Sequence, residues 1–432
     1  MYDLHYESQF AVYNDHEEHR SIRVPGEYCL GLFEAGDPPL MQDETACLKS
    51  LLFPTSGPSL PEIVKKKDAK TAAIMISDVT RGVPTRKVAA HLVDQLRDAG
   101  IPDEKITFFV ALGVHRPATD EEMKSFIGEE TYGRVLIENH DAFDPEKLID
   151  LGQTSRGTKV KLNKKAYLCD VRITVGKVEL HEMAGFSGGR KSILPGIASE
   201  ETIVFNHRPE MIFHKGTGAG NLEGNPIHED MLETAKMFGV DFGVNFVVNN
   251  AGQPAAIFSG GLEESHMAAV ECLQRFCNVI LPRKADIFVI TPGNPLNCDF
   301  YQGVKALFAI QHVLAPESVV LLYGNFPEGI NSEDYVAPFH KFPDSFQKAR
   351  DYAWNNYKIQ MDHTLPTADI LMQGTKIVVC SDNIPADEIS ALGMIPHSDL
   401  DRAVADAITL SGKEKPAIAF CPHPQRAIIR YA

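Results

Sequence analysis

From Thr71 onward, short apolar runs alternate with longer stretches of helical spacing, and few folds accept that pattern. TAAIMISD (71–78), KITFFVALG (105–113) and VLIENHD (135–141) are apolar for most of their length and end in polar residues. Strands buried on both faces read this way and belong to parallel sheets covered by helices. Between them, TRKVAAHLVDQLRDAG (85–100) has helical spacing and stops at Gly100, and DEEMKSFIGEETYGRV (120–135) begins beyond Thr119, a good N-cap. KLIDLGQT (147–154) and DVRITVGKVEL add strands, ETIVFNHRPEM and HEDMLETAKMFG (228–239) add helices, and residues 262–280 form a further helix. LPRKA (281–285) has the composition of a linker, and a second rhythm follows in ADIFVITPG (285–293), QGVKALFAIQHVLA (302–315) and SVVLLYGN (318–325). DLDRAVADAITLSG (399–412) and PAIAFCP then supply a last helix and strand. The expectation is an α/β protein of two domains with mostly parallel sheets flanked by helices. The first domain is expected over 1–281, joined by 399–432, and the second over 282–398. Residues before 61, with Pro38, Pro39, Pro54 and Pro58, read as irregular and turn-rich.

A chain of 432 residues with 44% hydrophobic and 23% charged content has ample core for two domains. Its net charge of −16 argues against nucleic acid or an anionic membrane as partner, since both need a basic surface. No apolar run approaches the length of a membrane span. The eight cysteines form no CxxC pair, and MYDLHYESQF has no secretory character, so a reducing cytoplasm is expected.

Two polar segments, Ser77–Arg81 and His115–Thr119, directly follow strand-like runs. Ligands of open α/β sheets bind outside the carboxyl ends of strands, so both segments have reason to meet at one site. The densest chemistry lies in HEMAGFSGGRKSILPG (181–196), followed by NHRPE (206–210). Gly185-Phe186-Ser187-Gly188-Gly189 matches the G-x-S-x-G elbow of serine hydrolases, but Pro195 interrupts the helix that must follow. GFSGGRKS ends like a phosphate loop, yet Arg190 stands where the last glycine should be. Arg190 could bind a phosphate or pair with an acid. Read residue by residue, His115, His181 and His207 could be ordinary turn or cap residues. Asp78 and Arg81 could form a turn-stabilising ion pair, and Gln302 and Lys305, three apart, could share a solvated helix face. The remaining histidines, including His140, His214, His228 and His363, read as non-catalytic.

SDVTR (77–81), GVHRPAT (113–119), HEMAGFSGGRKSILPG, NHRPE and YQGVKA (301–306) occur in this order, and together the chain resembles the nickel-dependent lactate racemase family. The resemblance implies a nickel pincer nucleotide, a pyridinium mononucleotide that binds nickel through S, C and S. It implies Lys191 as the covalent tether and His207 as the protein's nickel ligand, with Asp78 and Thr80 near the cofactor. Three cofactor donors and one imidazole give a planar site, which suits Ni(II). His115 and His181 match the family's two catalytic histidines, Arg81 its substrate-binding arginine, and Gln302 and Lys305 a second pair that closes over substrate from the other domain. The active site is accordingly expected in an interdomain cleft. The implied reaction is racemisation of a small 2-hydroxy acid, with lactate as the default. Pulling a proton from Cα beside a carboxylate is costly, and hydride transfer to an electrophilic cofactor avoids that carbanion by way of a 2-keto acid. Partners expected on this reading are the small anionic substrate and the proteins that make the cofactor. The alternatives are a serine hydrolase using Ser187 and a nickel- or nucleotide-binding homologue without turnover.

Overall fold

The computed structural model describes residues 1–43 and 45–432. The chain opens with three antiparallel strands, β1 (Tyr2–Glu7), β2 (Phe10–Asp15) and β3 (Arg20–Pro25), and a fourth, β4 (Cys29–Leu32). Six strands follow: β5 (Ala72–Ser77), β6 (Ile106–Ala111), β7 (Leu136–Asn139), β8 (Val171–Lys177), β9 (Phe242–Val248) and β10 (Pro254–Gly260). The last set is β11 (Ile287–Thr291), β12 (Val319–Tyr323), β13 (Lys376–Cys380), β14 (Ile395–His397) and β15 (Ile418–Pro422).

The mostly parallel α/β architecture is as expected. One sheet runs β10-β9-β8-β5-β6-β7, parallel except for β10. Helices α1 (Arg86–Asp98) and α2 (Asp120–Ile127) accompany it. Val88, Leu92 and Leu96 of α1 share a core with Ile74, Ile76, Phe108, Val110, Ile173 and Val175, each side chain contributing about 1.5–3 kcal/mol by leaving water. Thr119 and Glu122 form a capping box at the start of α2, and Gly128, at φ +85°, ends it, so the expected helix over 120–135 is broken there. The second sheet runs β14-β13-β12-β11-β15-β4 and is parallel throughout.

The division of the chain differs from the one expected. Asp37–Phe276 form one compact unit; Met1–Gly36 and Cys277–Ala432 form the other. Hydrogen bonding explains the difference: β4 pairs with β15, which pairs with β11. The residues before 37 are not irregular but carry β1–β4, and Tyr13, Ile22 and Val24 enter one core with Ile287, Val289, Leu321 and Phe420. Residues 399–432 belong to this unit too, because β15 lies inside its sheet. LPRKA does not mark the boundary, since Asn278–Leu281 is already a strand paired with Ile428–Tyr431. KLIDLGQT pairs antiparallel with Lys159–Asn163, outside the main sheet. No helix among the described residues is long and apolar enough to cross a membrane.

Candidate active site

In the unit spanning Asp37–Phe276, β5 comes first in the chain, with β6 and β7 on one side and β8 and β9 on the other. The strand order therefore reverses between β5 and β8, where the connecting segments diverge and leave a crevice. Asp78 follows β5 directly. Its Oδ1 accepts from Thr80 N at 3.0 Å and Thr80 Oγ1 at 2.6 Å, and its Oδ2 lies 2.6 Å from His115 Nδ1. His115 sits beyond β6, with its side chain 42% exposed, whereas that of Asp78 is 6% exposed. A carboxylate only accepts, so His115 carries a ring proton on Nδ1, which leaves Nε2 as the nitrogen able to act on a ligand. Burial pushes the Asp78 carboxyl up, but the bonds from His115 and Thr80 and the charge of Arg81 outweigh it and hold the group below its usual range. Asp78 is thus the partner of His115, and the expected ion pair with Arg81 gives way to that contact. Thr80 and Arg81 are exposed at the mouth of the same turn.

The glycine-rich segment meets these loops. Gly113 N donates to Gly196 O at 2.9 Å. At its other end, His181 Nδ1 accepts from the backbone N–H groups of Met183 and Ala184, both at 3.2 Å, and His181 Nε2 stands 3.1 Å from Lys191 Nζ. Between them the loop turns through Gly188 at φ +77° and Gly189 at φ +51°. A Cβ on Gly188 would come within 2.9 Å of Val178, and one on Gly189 within 3.0 Å of the His266 ring, so both must be glycine.

His207 follows the helix α3 (Glu200–Asn206). Its Nδ1–H donates to Ile203 O at 3.1 Å, which leaves Nε2 with its lone pair. Burial, then the nearby Lys191 charge, pull its pKa down to about 4, against smaller opposing effects of Ile203 and Glu182. Half-buried His228 is likewise pulled down to about 3, and His266 falls well below its ordinary value, both first by burial and then by Arg190. These three imidazoles are neutral in the folded chain but take up protons near pH 6.5 once unfolded. Because the unfolded state binds more protons, stability is present above that pH and declines below it, by about 1.4 kcal/mol per pH unit for each histidine. Thermal unfolding of the unloaded chain between pH 7.5 and pH 5 checks this, and a flat melting temperature would contradict it.

Ser187 is a structural tie. Its hydroxyl donates to Lys177 O at 2.7 Å and accepts from Glu179 N at 2.8 Å, and the segment after it is a short 3₁₀ turn, Gly189–Ser192, in place of the helix an elbow requires. Ser187→Ala is expected to lower stability by about 1–3 kcal/mol. Wild type and variant should hydrolyse a nitrophenyl ester at the same background rate; an esterase activity lost with the hydroxyl would restore the hydrolase reading.

Gln302 and Lys305 lie in the other unit, beyond the carboxyl end of β11. Asp299 caps the turn Phe300–Gly303 by accepting from Gln302 N at 2.6 Å, Lys305 opens the next helix (Lys305–Ile310), and both residues are half-buried, not part of a solvated face.

Two family descriptions match the chain, "Lactate racemase N-terminal domain" over residues 15–220 and "Lactate racemase C-terminal domain" over residues 280–428. The chain belongs to the lactate racemase family. The lactate racemase of Thermoanaerobacterium thermosaccharolyticum is 30% identical over 397 residues, 90% of this chain and 91% of that protein. That of Lactiplantibacillus plantarum is 30% identical over 379 residues, 86% of this chain and 88% of that protein. The structure of the lactate racemase apoprotein from Thermoanaerobacterium thermosaccharolyticum matches with a TM-score of 0.87 at 28% identity, covering 95% of this chain and 97% of that one. A Thermotoga maritima protein, at TM-score 0.67 and 18% identity over 92% of this chain and all of its own, shares the fold. As a member of the lactate racemase family, the chain is an isomerase.

Two site residues of this lactate racemase family member have the chemistry that a bound metal and a covalently held ligand need. A neutral imidazole with one nitrogen bonded to a carbonyl and the other bare is the form a metal takes up, and His207 has it. Lys191 stands on the loop whose two glycines bring backbone close to a ligand. Sequence reasoning missed His266, which lines that loop from the helix α4 (Leu262–Cys277). A histidine at one helical position carries no signal of its own. It also missed that Asp78 serves His115.

Proposed function

We propose that the chain interconverts the two mirror forms of a small 2-hydroxy acid, with lactate as the default substrate. What supports this reading best is the pair of imidazoles beyond β6 and β8, the strands on either side of β5. Each has its Nδ1 engaged by the protein, His115 by Asp78 and His181 by two backbone N–H groups, and His181 Nε2 stands beside Lys191 Nζ. Racemisation needs a proton-transfer group on each face of the substrate, and two imidazoles supply it. When bound, the nickel pincer nucleotide supplies the acceptor and donor for the hydride at the substrate's Cα. Lys191 would hold it through a bond at Nζ and His207 through nickel, with Asp78 and Thr80 beside it. Arg81 would grip the carboxylate by two parallel hydrogen bonds. His115 Nε2 would take the hydroxyl proton on one face, and His181, which carries its ring proton on Nε2, would give one back on the other. Loading depends on the proteins that build the cofactor. The setting we propose is the cytoplasm, where the cysteines, none of them in a disulfide among the described residues, stay reduced.

The test uses protein purified from a host able to make the cofactor, incubated separately with the D- and L-forms of a panel of 2-hydroxy acids. Lactate should reach the same racemic end point from either side, and intact mass should show an adduct. Adduct and nickel without exchange across the panel would mark a binding protein; no adduct in such a host would overturn the reading.

A further inference from the structure

Arg190 is the largest side chain that the fold buries completely, with 1% of it exposed, and none of the roles above uses it. A buried guanidinium ordinarily meets a carboxylate. Among the described residues, burial alone bears on its charge, and its donors go elsewhere. Nη2 donates to Ala184 O at 2.7 Å, and Nη1 lies 2.8 Å from His266 Nε2 and reaches Ser187 O and Gly188 O, both at 3.4 Å. All three carbonyls belong to the loop between His181 and Lys191. His266 closes the far side, its Nε2 2.9 Å from Ser187 O and its ring against Gly189. That nitrogen stands between a donor, Arg190 Nη1, and an acceptor, Ser187 O, and bonds one or the other according to where the ring carries its proton.

We propose that Arg190 is a positioning residue of the racemase site, one planar cation that gathers the carbonyls of Ala184, Ser187 and Gly188 and so fixes His181 and Lys191 opposite each other before any ligand arrives. The proposal rests on the reading that Lys191 tethers the cofactor. It explains the absence of an acid partner, since a carboxylate would take the N–H groups that the carbonyls need. It also explains the residue type. Donors spread over a rigid fork reach carbonyls that point from different places, whereas an ammonium is a single point on a flexible stem.

Arg190→Lys keeps the charge and removes the fork. In protein from the cofactor-making host, adduct occupancy at Lys191, read by intact mass, should fall about 10–100-fold, the range for groups that orient a ligand's own holders. In the unloaded chain, hydrogen exchange at the amides of residues 185–189 should quicken, with the amides of β5 and β6 unchanged. A merely structural role would instead quicken exchange throughout the unit and leave occupancy of the folded fraction at the wild-type level. Wild-type occupancy together with wild-type exchange at 185–189 overturns the proposal. If Arg190→Lys does not fold, His266→Ala, which removes the ring packed against the same guanidinium and Ser187 O, is judged by the same two readouts. A wild-type chain that carries no adduct defeats the functional reading, while the exchange result still decides whether Arg190 holds the loop.

Discussion

Asp78→Asn is expected to lower turnover by about 10²–10⁴-fold, in both directions, with the Lys191 adduct retained. Oδ1 can keep both bonds from Thr80, so the turn after β5 survives. The other end of the side chain changes from an acceptor to an N–H donor. Where the carboxylate takes the proton of His115 Nδ1, the amide offers one, and the imidazole meets it by moving its own proton to Nε2. The nitrogen that should take the substrate's hydroxyl proton is then already protonated. The comparable exchange in a serine protease triad costs about 10⁴ in turnover for this reason. The Asp78 carboxyl is held below its usual value, so the stability it lends is present above the ordinary carboxylate range and is lost only as the pH falls through the lowered one. Turnover of D- and L-lactate, with the ring tautomer read from ¹⁵N shifts, checks the prediction. A variant within tenfold of wild type would remove Asp78 from the mechanism.

The other large effect belongs to Lys191. Lys191→Ala and Lys191→Arg should both lack the adduct and both fall to the rate of the protein-free reaction. The pair separates charge from bond formation: arginine keeps a cation beside His181 but cannot lose a proton to become a nucleophile. Activity in Lys191→Arg would mean that the lysine acts by charge alone. A second readout needs no cofactor. Lys191 helps hold the His207 pKa down, so Lys191→Ala should move the titration of His207 upward in the unloaded chain, while burial keeps it below its ordinary value.

Strands β5, β6 and β8 were legible because a strand covered on both faces must be apolar along its length, and polar residues at its end stand out. The lactate racemase resemblance was legible because five polar segments keep their order. What lies between distant positions was not. Asp78 and His115 are joined only once β5 and β6 pair side by side, so Asp78 read as a partner for Arg81, its near neighbour. Ser187 stayed open as an alternative nucleophile because the elbow pattern records spacing and not where a hydroxyl points. Arg190 stayed ambiguous because its partners are backbone carbonyls, which every residue carries. The division into units was misjudged because β4 pairs with a strand near the far end of the chain.

That last pairing has a consequence for how the protein is made. Cys29 waits for Ile418, roughly 390 residues later, which at about 5–20 residues per second emerges from the ribosome roughly 20–80 s after it. Asp37–Phe276 is one unbroken stretch and is complete long before then. The half of the protein that carries Lys191 and His207 can therefore finish folding on the ribosome while β4, already synthesised, still lacks its neighbour. An open strand edge during synthesis invites pairing with the wrong chain. Slow translation late in the message, or a truncated product that ends before β15, would leave a finished anchoring half attached to an aggregation-prone amino terminus.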